Sequence, residues 1–193
     1  MKKYLIPLAF LFISFLSFAQ PKTTAALSEG AALLFKNTKS KLRNAEKNWF
    51  FKQLGFTLSK DKKQYISGEF DAAITTYITD MNKDGIEEVF FSMQSSAIYG
   101  MVGENFSLFL KKKDCTYEMQ QELGGGIAMI LSTANLGYPD IAIGGPGFNF
   151  PAYRWDGKKY KFYKNIKDAD LQNKKVKYMD LLECSKLYTD TLK

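Results

Sequence analysis

The residues best suited to chemistry lie together in Asp80-Met81-Asn82-Lys83-Asp84-Gly85-Ile86-Glu87-Glu88. Calcium takes roughly six to eight oxygen ligands from a chain that wraps it. Alternate residues of a tight loop point inward together. Asp80, Asn82 and Asp84 would therefore offer side-chain oxygens, Ile86 its carbonyl, and Glu88 would close the shell. Gly85 permits the sharp bend, because a residue without Cβ adopts positive φ at little cost. The stretch is not an EF-hand: position twelve, where a bidentate Glu is needed, is Phe91, and a strand begins where the second helix should be. The same Asp, Asn and Gly residues also make a metal-free turn through side-chain to backbone hydrogen bonds. Both readings stay open at this level. A single loop of this kind would bind calcium weakly, on the order of 10⁻⁴–10⁻³ M, as extracellular modules do. Its role would be structural: neutralising three acids and pinning two strands.

Other chemistry is narrowed by composition. The chain has no histidine and two cysteines. Ser-His-acid and Cys-His nucleophiles are excluded, as are His-containing and Cys₄ zinc sites. A carboxylate pair such as Asp140 and Asp156 remains for glycan hydrolysis; it requires carboxyls about 5–10 Å apart in an open cleft. Cys115 and Cys184 would close a long loop if they paired, stabilising by about 4 kcal/mol in the chain-entropy model; two separate thiols is the alternative. Lys158 to Lys177 holds eight lysines interleaved with Tyr160, Phe162 and Tyr163. That pattern suits single-stranded nucleic acid, but also an amphipathic strand, and the strand is the expectation for an exported chain. Gly144 to Pro151, with Phe148 and Phe150, reads as a wide connection with core-facing rings rather than a binding loop. It is no phosphate loop, since no G-x-x-x-x-G-K-[ST] motif and no following helix are present. Gly100 to Glu104 is a loop without an assigned role.

The elements that must position these groups begin after residue 19. MKKYLIPLAFLFISFLSFAQ has a basic start, an apolar run and small residues before Gln20, so residues 1–19 read as a signal peptide. The run is short of the roughly 20 residues a membrane span needs. Export to the periplasm or beyond is expected, with no membrane span after cleavage. Loss of Lys2 and Lys3 would take the formal charge from +7 to +5. A basic surface of this kind can rest on an anionic envelope polymer or an acidic protein. Residues 20–43 read as a tether with a weak helix between Ala25 and Lys36, weakened by Gly30. Residues 44–193 read as a single mainly-β domain. Asn44 caps a helix over Ala45 to Leu54, and Gly55 fits the left-handed position after it. Strand patterns follow around Ile74 to Ile78, Val89 to Met93, Phe106 to Leu110, Thr116 to Met119, Ile127 to Ser132 and Asp140 to Ile143. Tyr153 to Trp155 and Lys159 to Phe162 flank Asp156-Gly157, a strong hairpin signal. Met179 to Leu187 predicts a closing helix.

The run D-M-N-K-D-G-I-E-E-V-F-F resembles the strand–loop–strand of FG-GAP repeats, the calcium-loop blades of integrin-α-like propellers. Gly137-Tyr-Pro-Asp140-Ile-Ala-Ile143 with Trp155-Asp156-Gly157-Lys-Lys-Tyr160, and Asn44 to Leu54 with LGFTLSKDKKQY, resemble small exported Bacteroidetes-type proteins, a group without assigned activity. The resemblance covers residues 44–164 and implies the loop's ligand positions. A propeller needs about four or more blades, and this chain has material for one or two. The propeller and its ligand binding therefore do not carry over.

The expected fold is α+β: about seven antiparallel strands with an N-terminal and a C-terminal helix. The expected function is an exported, non-enzymatic binding or inhibitor-type module with a candidate structural calcium loop, its partner a protein or envelope polymer. A carboxylate-dependent envelope glycan hydrolase and a basic envelope-associated scaffold are the alternatives. Nucleic acid is not expected as a partner.

Overall fold

The computed structural model describes residues 25–100, 104–145, 147 and 149–193. The signal-peptide reading, the first residues of the tether, Met101–Gly103, Pro146 and Phe148 lie outside the described residues. Helices α1 (Glu29–Leu34) and α2 (Asn44–Leu54) lead into strands β1 (Thr57–Leu58), β2 (Tyr65–Ser67), β3 (Phe70–Thr79) and β4 (Glu88–Gln94). A short helix, α3 (Ser96–Tyr99), precedes β5 (Glu104–Lys111), β6 (Tyr117–Gly125), β7 (Ile127–Asn135), β8 (Tyr138–Gly144), β9 (Asn149–Trp155) and β10 (Tyr160–Lys167). Helix α4 (Asp168–Gln172), strand β11 (Tyr178–Asp180) and helix α5 (Leu181–Asp190) complete the chain.

The strands form two antiparallel sheets. One runs β1 to β6 in chain order; the other runs β10-β9-β8-β7-β11. The fold is α+β and mainly antiparallel, as expected, and it is not a propeller. The strands among the described residues outnumber the roughly seven expected, chiefly because β1, β2 and β11 are only two or three residues long. Runs that short carry no periodicity to read.

Alternation along each strand builds three layers of core. Phe90, Phe106, Leu108 and Leu123 of the first sheet meet Ala128, Ile130, Ile141 and Ile143 of the second. On the first sheet's outer face, Ile78, Val89, Phe91 and Phe109 pack under Leu34, Phe35, Leu42 and Phe50 from the N-terminal helices and their connection. The second sheet's outer face buries Met129, Ala142, Ala152 and Ile166 against Leu171 of α4. Strand β4 is thus covered on both faces, which is why Glu88 to Ser92 are all buried and why its sequence runs VFF rather than alternating.

Helix α2 forms over the expected residues, starting one residue earlier, and ends at Gly55 with φ of 70°. Its Phe50 is fully buried, with the rings of Phe91, Phe109 and Tyr117 at 5.5, 5.2 and 4.8 Å. Such a cluster supplies large apolar burial and edge-to-face contacts. The weak helix near the N-terminus forms as α1, capped by Ser28 Oγ on Ala31 N at 3.3 Å. Gly30 lets it approach α2, since a Cβ there would overlap the Phe51 ring. The same logic turns the corner between the sheets. A Cβ on Gly125 would meet the Gly144 carbonyl at 2.7 Å, while Gly126 N donates to that carbonyl at 2.7 Å.

Candidate metal loop and the cleft between the sheets

Residues 80–88 connect β3 to β4. Lys83 N donates to Asp80 O at 3.2 Å, and Lys83 and Gly85 take φ of 61° and 83°. The expected ligands hold the turn themselves. Asp80 Oδ2 accepts from Gly85 N at 3.0 Å, Asn82 Oδ1 from Asp84 N at 3.1 Å, and Asp84 Oδ1 from Ile86 N at 2.8 Å. Asn82 Nδ2 also donates to Asp84 Oδ2 at 2.8 Å. These are the side-chain to backbone bonds by which Asp and Asn favour turns. The Ile86 side chain is exposed.

Glu88 is nearly fully buried and reaches back to the start of the loop. Its Oε2 accepts from Met81 N at 2.8 Å and from Thr79 Oγ1 at 3.3 Å. Burial pushes its carboxyl up to about 8; the Met81 N–H opposes this, and the charges of Asp84 and Asp80 add to it. The Asp80 Oδ1 atom is buried without a hydrogen-bond partner. Oxygen donors of this kind suit a hard cation, which would relieve both the orphaned oxygen and the mutual repulsion. The shell is not preassembled: among the described residues no three Asp, Glu, Cys or His side chains form a metal-holding group. The Asn82–Asp84 side-chain bond would have to open for both to face an ion.

Sequence singled out Glu88 and passed over Glu87, the residue that ties the loop to the rest of the molecule. Successive residues entering a strand point to opposite faces, so Glu87 turns toward the outer core. It is 4% exposed. Its carboxylate accepts from Lys41 N at 2.8 Å, Ser40 Oγ at 3.0 Å and Tyr188 Oη at 3.1 Å. Its carbonyl accepts from Tyr117 Oη at 3.1 Å. The adjacent pair of acids opening an apolar strand was the available signal.

The other candidate groups are dispersed. Asp140 is fully buried beneath Arg154, whose Nε and Nη2 donate to its two oxygens at 2.8 and 2.7 Å; Thr133 Oγ1 adds a bond at 2.6 Å. The Arg154 guanidinium also lies 3.7 Å from the centre of the Tyr163 ring, a stacked cation–π arrangement. Asp156 sits in the β9–β10 turn. A side-chain bond from Lys161, then the N–H groups of Lys159 and Lys158, hold its carboxyl well below the usual range. Both carboxylates are engaged in structural pairings. Cys115 is exposed at the β5–β6 turn and Cys184 is half-buried on α5; both are free thiols. Of the lysine-rich run from Lys158 to Lys177, only Tyr160–Lys167 forms a strand, β10, with Phe162 and Tyr163 exposed; α4 and the turn after it follow.

A large open cleft of about 1570 Å³ lies at the end of the sheets where β3 starts and β8 ends. Its walls come from β3, β4, β7, β8, α4 and β11, and Gly144, Gly145 and Phe150, from the stretch read as a wide connection, also line it. No family model, no curated protein and no solved structure matches this chain.

Proposed function

We propose that this chain is an exported, non-enzymatic binding module whose 80–88 loop takes up calcium as a structural pin. The observation that carries the reading is the buried, unpartnered Asp80 Oδ1 beside the buried Glu88 carboxyl. An uncompensated buried oxygen next to a raised acid costs stability, and a bound cation turns that cost into a gain. Asp80, Asn82 and Asp84, the Ile86 carbonyl and Glu88 are its ligands. The ion joins the end of β3 to the start of β4 and leaves binding to the open cleft at the other end of β3.

The test is a thermal melt of the mature protein with chelator and then with millimolar calcium, repeated on Asp84→Ala. At about ten times the dissociation constant one site adds roughly 1.4 kcal/mol. A calcium-dependent rise lost in Asp84→Ala supports the reading. Identical wild-type melts with chelator and with calcium reduce residues 80–88 to a metal-free turn.

A second reading, a scaffold on anionic envelope polymers, is favoured by the exposed lysines of β10 beside Phe162 and Tyr163. It predicts retention on such polymers that weakens with salt.

A further inference from the structure

Strand β3 is paired with another strand along its whole second half on one side only. It pairs with β4 from Ala73 to Thr79, but with β2 only from Phe70 to Ala72. On the open side, Ile78 N donates to Ser185 Oγ at 3.0 Å, and Thr76 O accepts from Thr38 Oγ1 at 3.0 Å. Alternation along the strand places the N–H and C=O of Ile74 and the N–H of Thr76 on that same side. None of these three groups has a partner among the described residues. Ile74 lines both the large cleft and a smaller groove of about 460 Å³ that continues along β3 to α5. The open edge at Ile74 therefore lies where the cleft and the groove adjoin.

The cleft's charge is opposite to that of the chain. The protein carries 27 Lys and Arg against 20 Asp and Glu, yet the cleft is lined by Asp71, Glu104, Asp168 and Asp180 against Lys36 and Lys63. Exposed apolar side chains stand along both the cleft and the adjoining groove: Ile127 (55% exposed) and Tyr178 (46%) line the cleft, and Leu182 (65%) lines the groove. Unpaired strand edges are usually blunted by charge, proline or cover. This one is capped at the Thr76 carbonyl and the Ile78 N–H and left open at Ile74 and the Thr76 N–H.

We propose that the cleft binds an extended, lysine- or arginine-bearing peptide segment of a partner protein, which adds as a strand to β3 at Ile74. Backbone groups at strand spacing are met by another backbone. The four carboxylates select positive side chains on one face of that segment, and Ile127, Tyr178 and Leu182 take apolar side chains from the other. This deepens the binding-module reading and rests on it, but does not depend on calcium.

Fluorescence anisotropy of the full mature chain with a labelled peptide alternating lysine and valine tests it, in chelator and in calcium. The peptide should bind, while a glutamate–valine peptide and a lysine peptide interrupted by proline should not. Asp71→Asn with Asp180→Asn changes two exposed groups and should weaken binding roughly three- to tenfold, the scale of two exposed ion pairs. Ile74→Pro removes the open donor at an edge position where proline is tolerated and should abolish binding while the melt shows a folded chain. Equal binding of the glutamate peptide overturns the charge assignment. Equal binding of the proline-interrupted peptide overturns strand addition. Self-association abolished by Ile74→Pro assigns the edge to a second copy and overturns the peptide. If no peptide binds while calcium still raises the melt, this inference fails and the calcium-pinned module stands; if calcium also has no effect, both fail.

Discussion

Ile78 N donates to Ser185 Oγ at 3.0 Å, a bond between residues 107 positions apart in the chain. Both residues are buried. The hydroxyl of α5 thereby ends the exposed edge of β3 in the way a further strand would. Ser185→Ala leaves the Ile78 N–H without a partner in a dry site. An orphaned buried donor costs about 1–3 kcal/mol, so the urea midpoint falls by that equivalent. Ser185→Thr, which keeps the hydroxyl, loses less. Equal midpoints for wild type and Ser185→Ala would show that water replaces the hydroxyl.

Glu87 joins three segments through one carboxylate. Lys41 N, Ser40 Oγ and Tyr188 Oη all donate to it. Glu87→Gln replaces one acceptor oxygen by an NH₂ donor, forcing a hydroxyl partner to reorient, and removes the charge that strengthens all three bonds. The expected loss is about 1–3 kcal/mol, with earlier proteolytic cleavage around residues 36–43. Tyr188→Phe should cost less alone, and the double variant should cost less than the sum, because the two share a bond. Additive losses would mean that the Tyr188 bond contributes nothing.

What the sequence disclosed and what it hid divide by range. Asp156-Gly157 and the Asn44-to-Gly55 helix are local patterns whose few residues settle their own conformation. The identities of Asp80, Asn82 and Asp84 made a turn legible for the same reason. Gly30 was read as a weakness of its helix; its cause is the Phe51 ring on another helix, which propensity does not encode. The Ser185–Ile78 bond, the Glu87 contacts and the cleft depend on chain folding between distant elements. Cys115 and Cys184 likewise carried no local sign that they would remain apart.

Glu46 gives a pH test. Burial alone would push its carboxyl up, but hydrogen bonds from Arg43 and Lys111 override burial and hold it down at about 2. Lys111 Nζ lies 2.9 Å away and ties α2 to β5. A carboxyl depressed in the fold contributes stability above its unfolded value near 4.5, and that stability is lost as pH falls toward 2. The contribution is roughly 1–2 kcal/mol after allowing for solvent screening. Glu46→Gln should therefore be less stable than wild type at pH 6, and the gap should close by pH 2. A constant gap across that range would assign the loss to packing.

Glu88 separates the two states of the loop. At 2% exposure it sits in a dry site with Thr79 and the inner core. Without a cation, an ionised carboxyl there is uncompensated, and an amide of the same shape avoids that cost. In Glu88→Gln the amide oxygen can still accept from Met81 N, where the native carboxylate accepts at 2.8 Å. In chelator at pH 9, Glu88→Gln should melt at or above wild type. With calcium the order should reverse, because the amide closes the ligand shell less well than a carboxylate. Asp140→Asn is a poor control, since it breaks the Arg154 pair and destabilises under both conditions. Asp114→Asn is suitable: it alters an exposed turn carboxylate bonded to Thr116 at the β5–β6 turn and should leave the calcium response unchanged. If Glu88→Gln melts below wild type in chelator as well as in calcium, the carboxylate serves the metal-free turn, and the calcium reading loses the residue it most depends on.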